Sequence, residues 1–351
     1  MDFDFSEEDQ AIYDLTAQIM GDKVTHEHLR TLAADDVHLD RATWATLAEA
    51  GIVGAALPEA HGGSGLGFLA VSAVCELVGR HAATVPMLET IVMVGLPVAE
   101  FGTDDQKADV LPRIASGELI ATAALVAGEG FVRSGDTVSG SAPCVPMGLD
   151  ADLFLVPTDD GVVLVDAAAD GVSRTPQRTT TDHPQALLTL DGAPCTRLGT
   201  ASTDEIMAFT RLRVDSAICS TLAGACKAAT DLAADYAKIR HQFDRPIATF
   251  QAVSQRAGDA YIDTEGVNLT ARQAAWRIAD GRPAEREVAI ARWWASEAGF
   301  RVVHAATHLH GGVGVDRDYP LHRYYLMARQ LELTLGNSEE QLVTLGDLIA
   351  G

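Results

Sequence analysis

The chain has 351 residues, 47% of them hydrophobic but only 6% aromatic, and a formal net charge of −23. That length accommodates two or three regions around a sizeable core, and the aromatic-poor composition, heavy in Ala and Leu, points to a helix-rich protein. The acidity argues against an extended nucleic-acid surface, which needs clustered Lys and Arg, and suits a large assembly kept dispersed by its charge.

Five cysteines (Cys75, Cys144, Cys195, Cys219, Cys226) form no C-x-x-C pair and are odd in number. A disulfide framework or zinc site is therefore not expected, and a reducing, cytoplasmic setting fits. The opening MDFDFSEEDQ is acidic rather than signal-like, and no apolar run reaches membrane-spanning length, so no membrane insertion is expected.

Residues 1–117 read as helical. Ser6 ahead of Glu7 and Glu8 is a helix N-cap with an acidic first turn. Further helices are predicted at Ala42–Ala50, Leu69–Val78, Met87–Phe101 and Asp104–Ala115. A loop of turn formers, 57–65, separates the first two of these. Residues 118–203 change character: Ile120–Val126, Leu153–Val156, Val162–Val165 and Ala186–Leu190 are short apolar runs set between Gly, Asp, Thr and Pro, the pattern of a small β-domain.

From 204 to 351 the chain returns to long helical periodicity, predicting a helical bundle. A first run, Asp204–Ile239, is broken only by Gly224, and Pro246 is expected to end it. A second run starts at Ala252, and a third covers Glu285–His308. His304 and His308 have i,i+4 spacing, but no Glu follows His304 and His310 is expected beyond the helix end. No metal site is predicted.

Between the first two bundle helices lies Arg240–Gln251, RHQFDRPIATFQ. Such a corner offers two arginines, whose forks grip phosphate oxygens, and Phe243, which can cover a flat ring. The plain alternative is a solvated helix end with basic residues near the negative end of the dipole.

The corner resembles the flavin-phosphate segment of the acyl-CoA dehydrogenases, R-x-x-F-G-x-P-I-x-x-F-Q. Arg240, Phe243, Pro246, Ile247, Phe250 and Gln251 match it, and Asp244 stands at the family's Gly. The segments LAEAGIVGAALPEAHGGSGLG and FGTDDQKADVLPRIASGELIATAAL resemble two N-terminal signatures of the same family, in the same order. His308–Gly312 with Asp318–Leu321 is similar to its Q-x-x-G-G-x-G and E-Y-P segments, with His308 at the Gln. The resemblance implies an N-terminal helical domain, a middle β-barrel or sandwich, here reduced, and a C-terminal four-helix bundle. It implies FAD, an acyl-CoA substrate, and an electron-transfer flavoprotein as acceptor. It assigns Arg240, Gln242, Phe243, Gln251, His308, Gly311 and Gly312 to the cofactor.

The middle region departs from the pattern. The family's T-E-P-x-x-G-S-D loop and W-x-T/S strand contact the flavin ring; here the first place holds residues 125–131, LVAGEGF, and neither Gly-Ser-Asp nor Trp is present. Trp44, Trp276, Trp293 and Trp294 all fall in helical segments. The catalytic carboxylate is also missing. Leu335 stands at the usual base position and Val214 at the alternative one, with Asp215 one residue away as a candidate base or a helix-surface carboxylate. A chain that keeps the phosphate corner but lacks ring contacts and base fits the short subunit of a heterotetrameric acyl-CoA dehydrogenase, completing a flavin site in a partner. The alternatives are a non-catalytic relative with a structural or binding role, and a homo-oligomeric enzyme using Asp215.

Overall fold

The structure, a computed structural model, describes residues 5–126, 128, 130–181 and 185–350. The N-terminal region holds α1 (Glu7–Lys23), α2 (His26–Ala34), α3 (Arg41–Glu49) and α4 (Phe68–His81). Ser6 caps α1 as the sequence requires, its Oγ accepting from the Asp9 amide. The second helix, His26–Ala34, was not legible as a separate element; Thr25 caps it through the His28 amide. After α4 the apolar run predicted as one helix, Met87–Phe101, divides. Met87–Gly95 is π-helical, with the Leu96 amide reaching back to the Ile91 carbonyl, and α5 (Leu96–Phe101) continues from it. Helix α6 (Asp104–Ala115) follows behind a Thr103–Gln106 capping box.

Among the described residues, eight strands make up the middle region: β1 (Ala121–Ala123), β2 (Gly130–Ser134), β3 (Thr137–Pro146), β4 (Leu153–Thr158), β5 (Gly161–Asp166), β6 (Val172–Gln177), β7 (Gln185–Pro194) and β8 (Thr196–Arg197). They form two four-stranded sheets, ordered β1-β4-β5-β8 and β2-β3-β7-β6. Phe154, Val156, Val163 and Val165 of the first sheet pack with Phe131, Val138, Leu188 and Leu190 of the second. The alternate residues Leu155, Val162 and Leu164 face the main helical core. The first sheet is thus buried on both faces, which explains why its central strands read as continuous apolar runs. Among the described residues the sheets face each other as a sandwich and do not close into a barrel. Strands β2 and β6 were missed because they are largely polar and exposed, and β3 because Gly, Ser and Pro interrupt its few apolar residues.

The third region begins with α7 (Thr203–Ile239). Gly224 does not interrupt it. A Cβ there would lie 1.8 Å from the Glu76 carbonyl oxygen, and one at Gly79 would lie 1.8 Å from that of Thr221. The two glycines let α4 and α7 touch backbone to backbone, which ties the N-terminal region to the bundle. Next come β9 (His241–Gln242) and β10 (Arg245–Pro246), then α8 (Gln251–Ala279), α9 (Glu285–His310), α10 (Leu321–Leu333) and α11 (Ser338–Ala350). Pro246 does not terminate α7. The helix ends at Ile239, because Arg240 turns to extended backbone (φ −78°, ψ 124°).

Candidate functional site

The corner is a two-stranded hairpin in which Arg245 pairs with Gln242 and Pro246 with His241. Its turn residues, Phe243 and Asp244, have φ of 53° and 63°. Positive φ at both central positions is the geometry of a type I′ turn. The family's Gly falls where the left-handed conformation is required, and Asp is among the few side chains that tolerate it. The turn thrusts Phe243 into solvent, where it is 87% exposed. Behind it Phe250 meets Phe243 edge-on, with centroids 6.1 Å apart, while the Arg245 guanidinium lies 4.2 Å from the Phe250 centroid.

Arg240 and Gln251 are exposed, and among the described residues the Arg240 guanidinium makes no ion pair or hydrogen bond. Gln251 is the first residue of the 29-residue α8, at the positive end of its dipole. The Gln242 amide donates to the His241 carbonyl. The 308–312 segment is brought alongside by aromatic packing: His310 stacks on Tyr236 at 4.4 Å, one helical turn before Arg240. His310 is the last residue of α9 rather than beyond it, and it is buried. Its Nδ1 is 2.8 Å from the Ala306 carbonyl and its Nε2 3.0 Å from the Tyr319 hydroxyl. Burial lowers its pKa. His308 is exposed, as are Gly311 and Gly312, and a Cβ on either glycine would meet nothing within 4 Å. Exposed amide, guanidinium and open glycine backbone are the donor set a dinucleotide pyrophosphate takes, so these residues fit the phosphate half of FAD. No group of three His, Cys, Asp or Glu residues that could hold a metal occurs among the described residues.

The candidate base is placed differently. Asp215 Oδ1 lies 3.1 Å from Nε of Arg292, whose side chain is fully buried. Burial raises the Asp215 carboxyl pKa against the pull of Arg292 and Arg211. Arg292 also donates to the carbonyls of Leu331, Thr334 and Gly336. Arg211 adds a bond to the Leu335 carbonyl at 3.2 Å. Asp215 therefore belongs to a clamp on the 331–336 turn.

A cavity of about 740 Å³ opens where the three regions meet, and Asp215 is not among its lining residues. Its walls include Cys75 and Val78 of α4, Met93 of the π-helical segment, Leu125 after β1, and Met327 of α10. Leu335 faces it from the clamped turn, while Val214 is fully buried in the core. Both positions that would hold a base are apolar. The family's ring-contacting loop corresponds to residues 125–131, of which 127 and 129 lie outside the described residues. The four tryptophans lie in α3, α8 and α9, and none lines the cavity.

Reading the sequence alone missed Glu89. It sits on the π-helical segment, faces the cavity, and burial pushes its carboxyl up to about 7. The signal was present: one carboxylate inside an otherwise apolar run, Met87, Leu88, Ile91 and Val92. It looked like a surface position on a helix.

The family description "Acyl-CoA dehydrogenase, N-terminal domain" matches residues 6–118, and "Acyl-CoA dehydrogenase, C-terminal domain" matches 201–349. The chain is 40% identical to acyl-CoA dehydrogenase FadE27 of Mycobacterium tuberculosis, over 100% of this chain and 99% of that one. It is 29% identical to FadE28 of the same organism, over 99% and 98%. Among solved structures it resembles a chain of the ChsE4-ChsE5 complex from M. tuberculosis with a TM-score of 0.94 and 38% identity, covering 100% of this chain and 99% of that one. A chain of the Tcur3481-Tcur3483 steroid ACAD G363A variant gives 0.90 and 38%, with 98% of each covered. FAD is the cofactor of this family, whose members are oxidoreductases acting on CH–CH donors. By these matches along its whole length, this chain belongs to the acyl-CoA dehydrogenase family.

Proposed function

We propose that this chain is one subunit of a heteromeric, FAD-dependent acyl-CoA dehydrogenase, and that it lends its 240–251 corner to a flavin whose ring is held by a partner subunit. One contrast carries the reading. The corner's donors are exposed and unengaged, whereas the chain's own cavity presents Leu335 and keeps Val214 in the core where a base would stand. The two-protein complexes named among the neighbours support it.

Bound FAD would supply the acceptor for the two electrons removed from the α,β carbons of an acyl-CoA. Within this chain, Arg240 places a fixed positive charge against the pyrophosphate. Gln251 and the Gly311–Gly312 backbone add hydrogen bonds, and Phe243 shields the nucleotide from water. Abstraction of the α-proton is assigned to a carboxylate of the partner. An electron-transfer flavoprotein would be the acceptor for the reduced cofactor. A homo-oligomeric enzyme based on Asp215 is disfavoured by its pairing with Arg292 and its absence from the cavity lining. A purely structural relative is disfavoured because nothing within the described chain engages the Arg240 side chain. Co-expression with a candidate partner acyl-CoA dehydrogenase subunit tests the reading: the complex should be yellow and active and this chain alone colourless and inactive. Turnover by this chain alone would refute it.

A further inference from the structure

Neither family base position carries a carboxylate here, yet the lining of the cavity is not simply apolar. Glu89 faces it with no ion pair and no side-chain hydrogen bond among the described residues. Three further lining atoms are buried without any hydrogen-bond partner: Oγ1 of Thr179, Oγ1 of Thr181 and Oε1 of Gln185. Thr181 is 9% exposed and Gln185 6%. They lie at the loop after β6 and the start of β7. Thr180, between the two threonines, is tied to α10: its amide and hydroxyl both donate to Gln330 Oε1, at 3.2 and 2.9 Å.

Buried polar atoms in folded proteins are normally paired, and each orphan calls for an explanation. Three around one cavity share a single one. We propose that the cavity is a non-catalytic binding site for a neutral, elongated apolar molecule bearing hydroxyl groups, with Glu89 as the hydrogen-bonding partner of the hydroxyl that enters deepest. A volume of about 740 Å³ lies within the usual range for small-molecule sites, roughly 300–1,000 Å³. The apolar lining, Val78, Val85, Met93, Leu125 and Met327 among it, supplies the affinity. The polar atoms decide the ligand's class. Gln185 Oε1 can only accept and so needs a donor, which a hydroxyl is and a ketone is not. An uncharged carboxyl both donates and accepts, so it matches a hydroxyl completely, and its upward shift to about 7 keeps that form populated near neutrality. The two cations of the lining are engaged within the chain, Arg211 with the Leu335 carbonyl and Arg329 with Glu332, while Glu340 lines the same cavity, so the site favours an uncharged ligand over an anionic one.

This inference rests on the proposed function, in that the chain's own cavity performs no dehydrogenation. The two fail separately. Acyl-CoA oxidation by this chain alone would end that reading, while the binding measurement below bears only on the cavity.

The test uses the purified full chain and 1-decanol as probe, followed by titration calorimetry. Occupancy is read independently from alkylation of Cys144, whose half-buried side chain lines the same cavity. Wild type should bind one molecule per chain, and Cys144 alkylation should slow as the site fills. Glu89→Leu should weaken binding roughly tenfold, the typical loss of one such hydrogen bond. Glu89→Gln, which keeps a donor and an acceptor, should stay within about threefold of wild type. Three results would overturn the proposal: no saturable binding to wild type, equal affinity in the Leu variant, or a Gln variant as weak as the Leu variant with its circular dichroism unchanged.

Discussion

Removing Arg292 tests the clamp on the 331–336 turn. Its side chain is fully buried between Asp215 and the carbonyls of Leu331, Thr334 and Gly336. Arg292→Met keeps the volume approximately and deletes every one of these bonds. Two opposing effects set the magnitude. Taking a guanidinium out of water is itself costly, so replacing the charge recovers part of the loss. Against that, Asp215 is left buried without its partner and the turn's carbonyls lose their donor, at about 1–3 kcal/mol for each buried group left unsatisfied. The losses win, and a net destabilisation of roughly 3–5 kcal/mol follows, as for other buried pairs broken from one side. Urea unfolding followed by circular dichroism measures it, and hydrogen exchange at 331–337 shows whether the turn opens first. The milder Asp215→Asn retains an acceptor for Arg292 and should cost about 1 kcal/mol, leaving turnover of the assembled complex unchanged. A Met variant within about 1 kcal/mol of wild type, with unchanged exchange at the turn, would refute the clamp. Turnover abolished by Asp215→Asn in an intact complex would refute its structural assignment and make it a base.

Glu89 sets a pH dependence of stability. Its folded pKa of about 7 lies above the ordinary 4.5, so between these values the unfolded chain has released a proton that the folded chain keeps, and stability falls as pH rises through that window. The loss is at most about 3 kcal/mol, and Glu89→Gln should flatten it in unfolding curves taken at pH 5 and pH 8. Gly224→Ala places a Cβ 1.8 Å from the Glu76 carbonyl, so α4 and α7 must separate; the expected cost exceeds about 2 kcal/mol, and a thermal midpoint equal to wild type would contradict the contact. Asp244→Gly relieves a left-handed φ of 63° and should stabilise the hairpin by up to about 1 kcal/mol, read from slower amide exchange at Gln242 and Arg245.

The helical regions were legible because caps and apolar periodicity are local: the Ser6 cap and the span Asp104–Ala115 appear as their residues require. The corner at 240–251 was singled out by its resemblance to the family's segment, and its role toward a cofactor is the proposal made above. What was illegible depended on packing between distant segments. Gly224 looks like a helix breaker until the Glu76 backbone is beside it. Pro246 looks like the end of α7 until the I′ turn at Phe243–Asp244 shows that the chain has already reversed. Glu89 looks like a surface carboxylate until the π-helical turn aims it into the cavity. The partner of Asp215 is Arg292, 77 positions away by the numbering of the chain, beyond the reach of any local pattern.

The account centres on Arg240, and flavin retention tests it most directly. The chain, wild type or Arg240→Ala, is co-expressed with its partner subunit, and FAD per complex is measured by absorbance after gel filtration and dilution. Losing one charge-assisted contact to the pyrophosphate costs about 1.5–3 kcal/mol, roughly ten- to a hundredfold in affinity. The variant complex should keep its assembly and its helical content and lose most of its yellow colour, with colour restored by added FAD. Full FAD content in the Arg240→Ala complex after the same dilution would contradict the assignment of this corner to the partner's flavin.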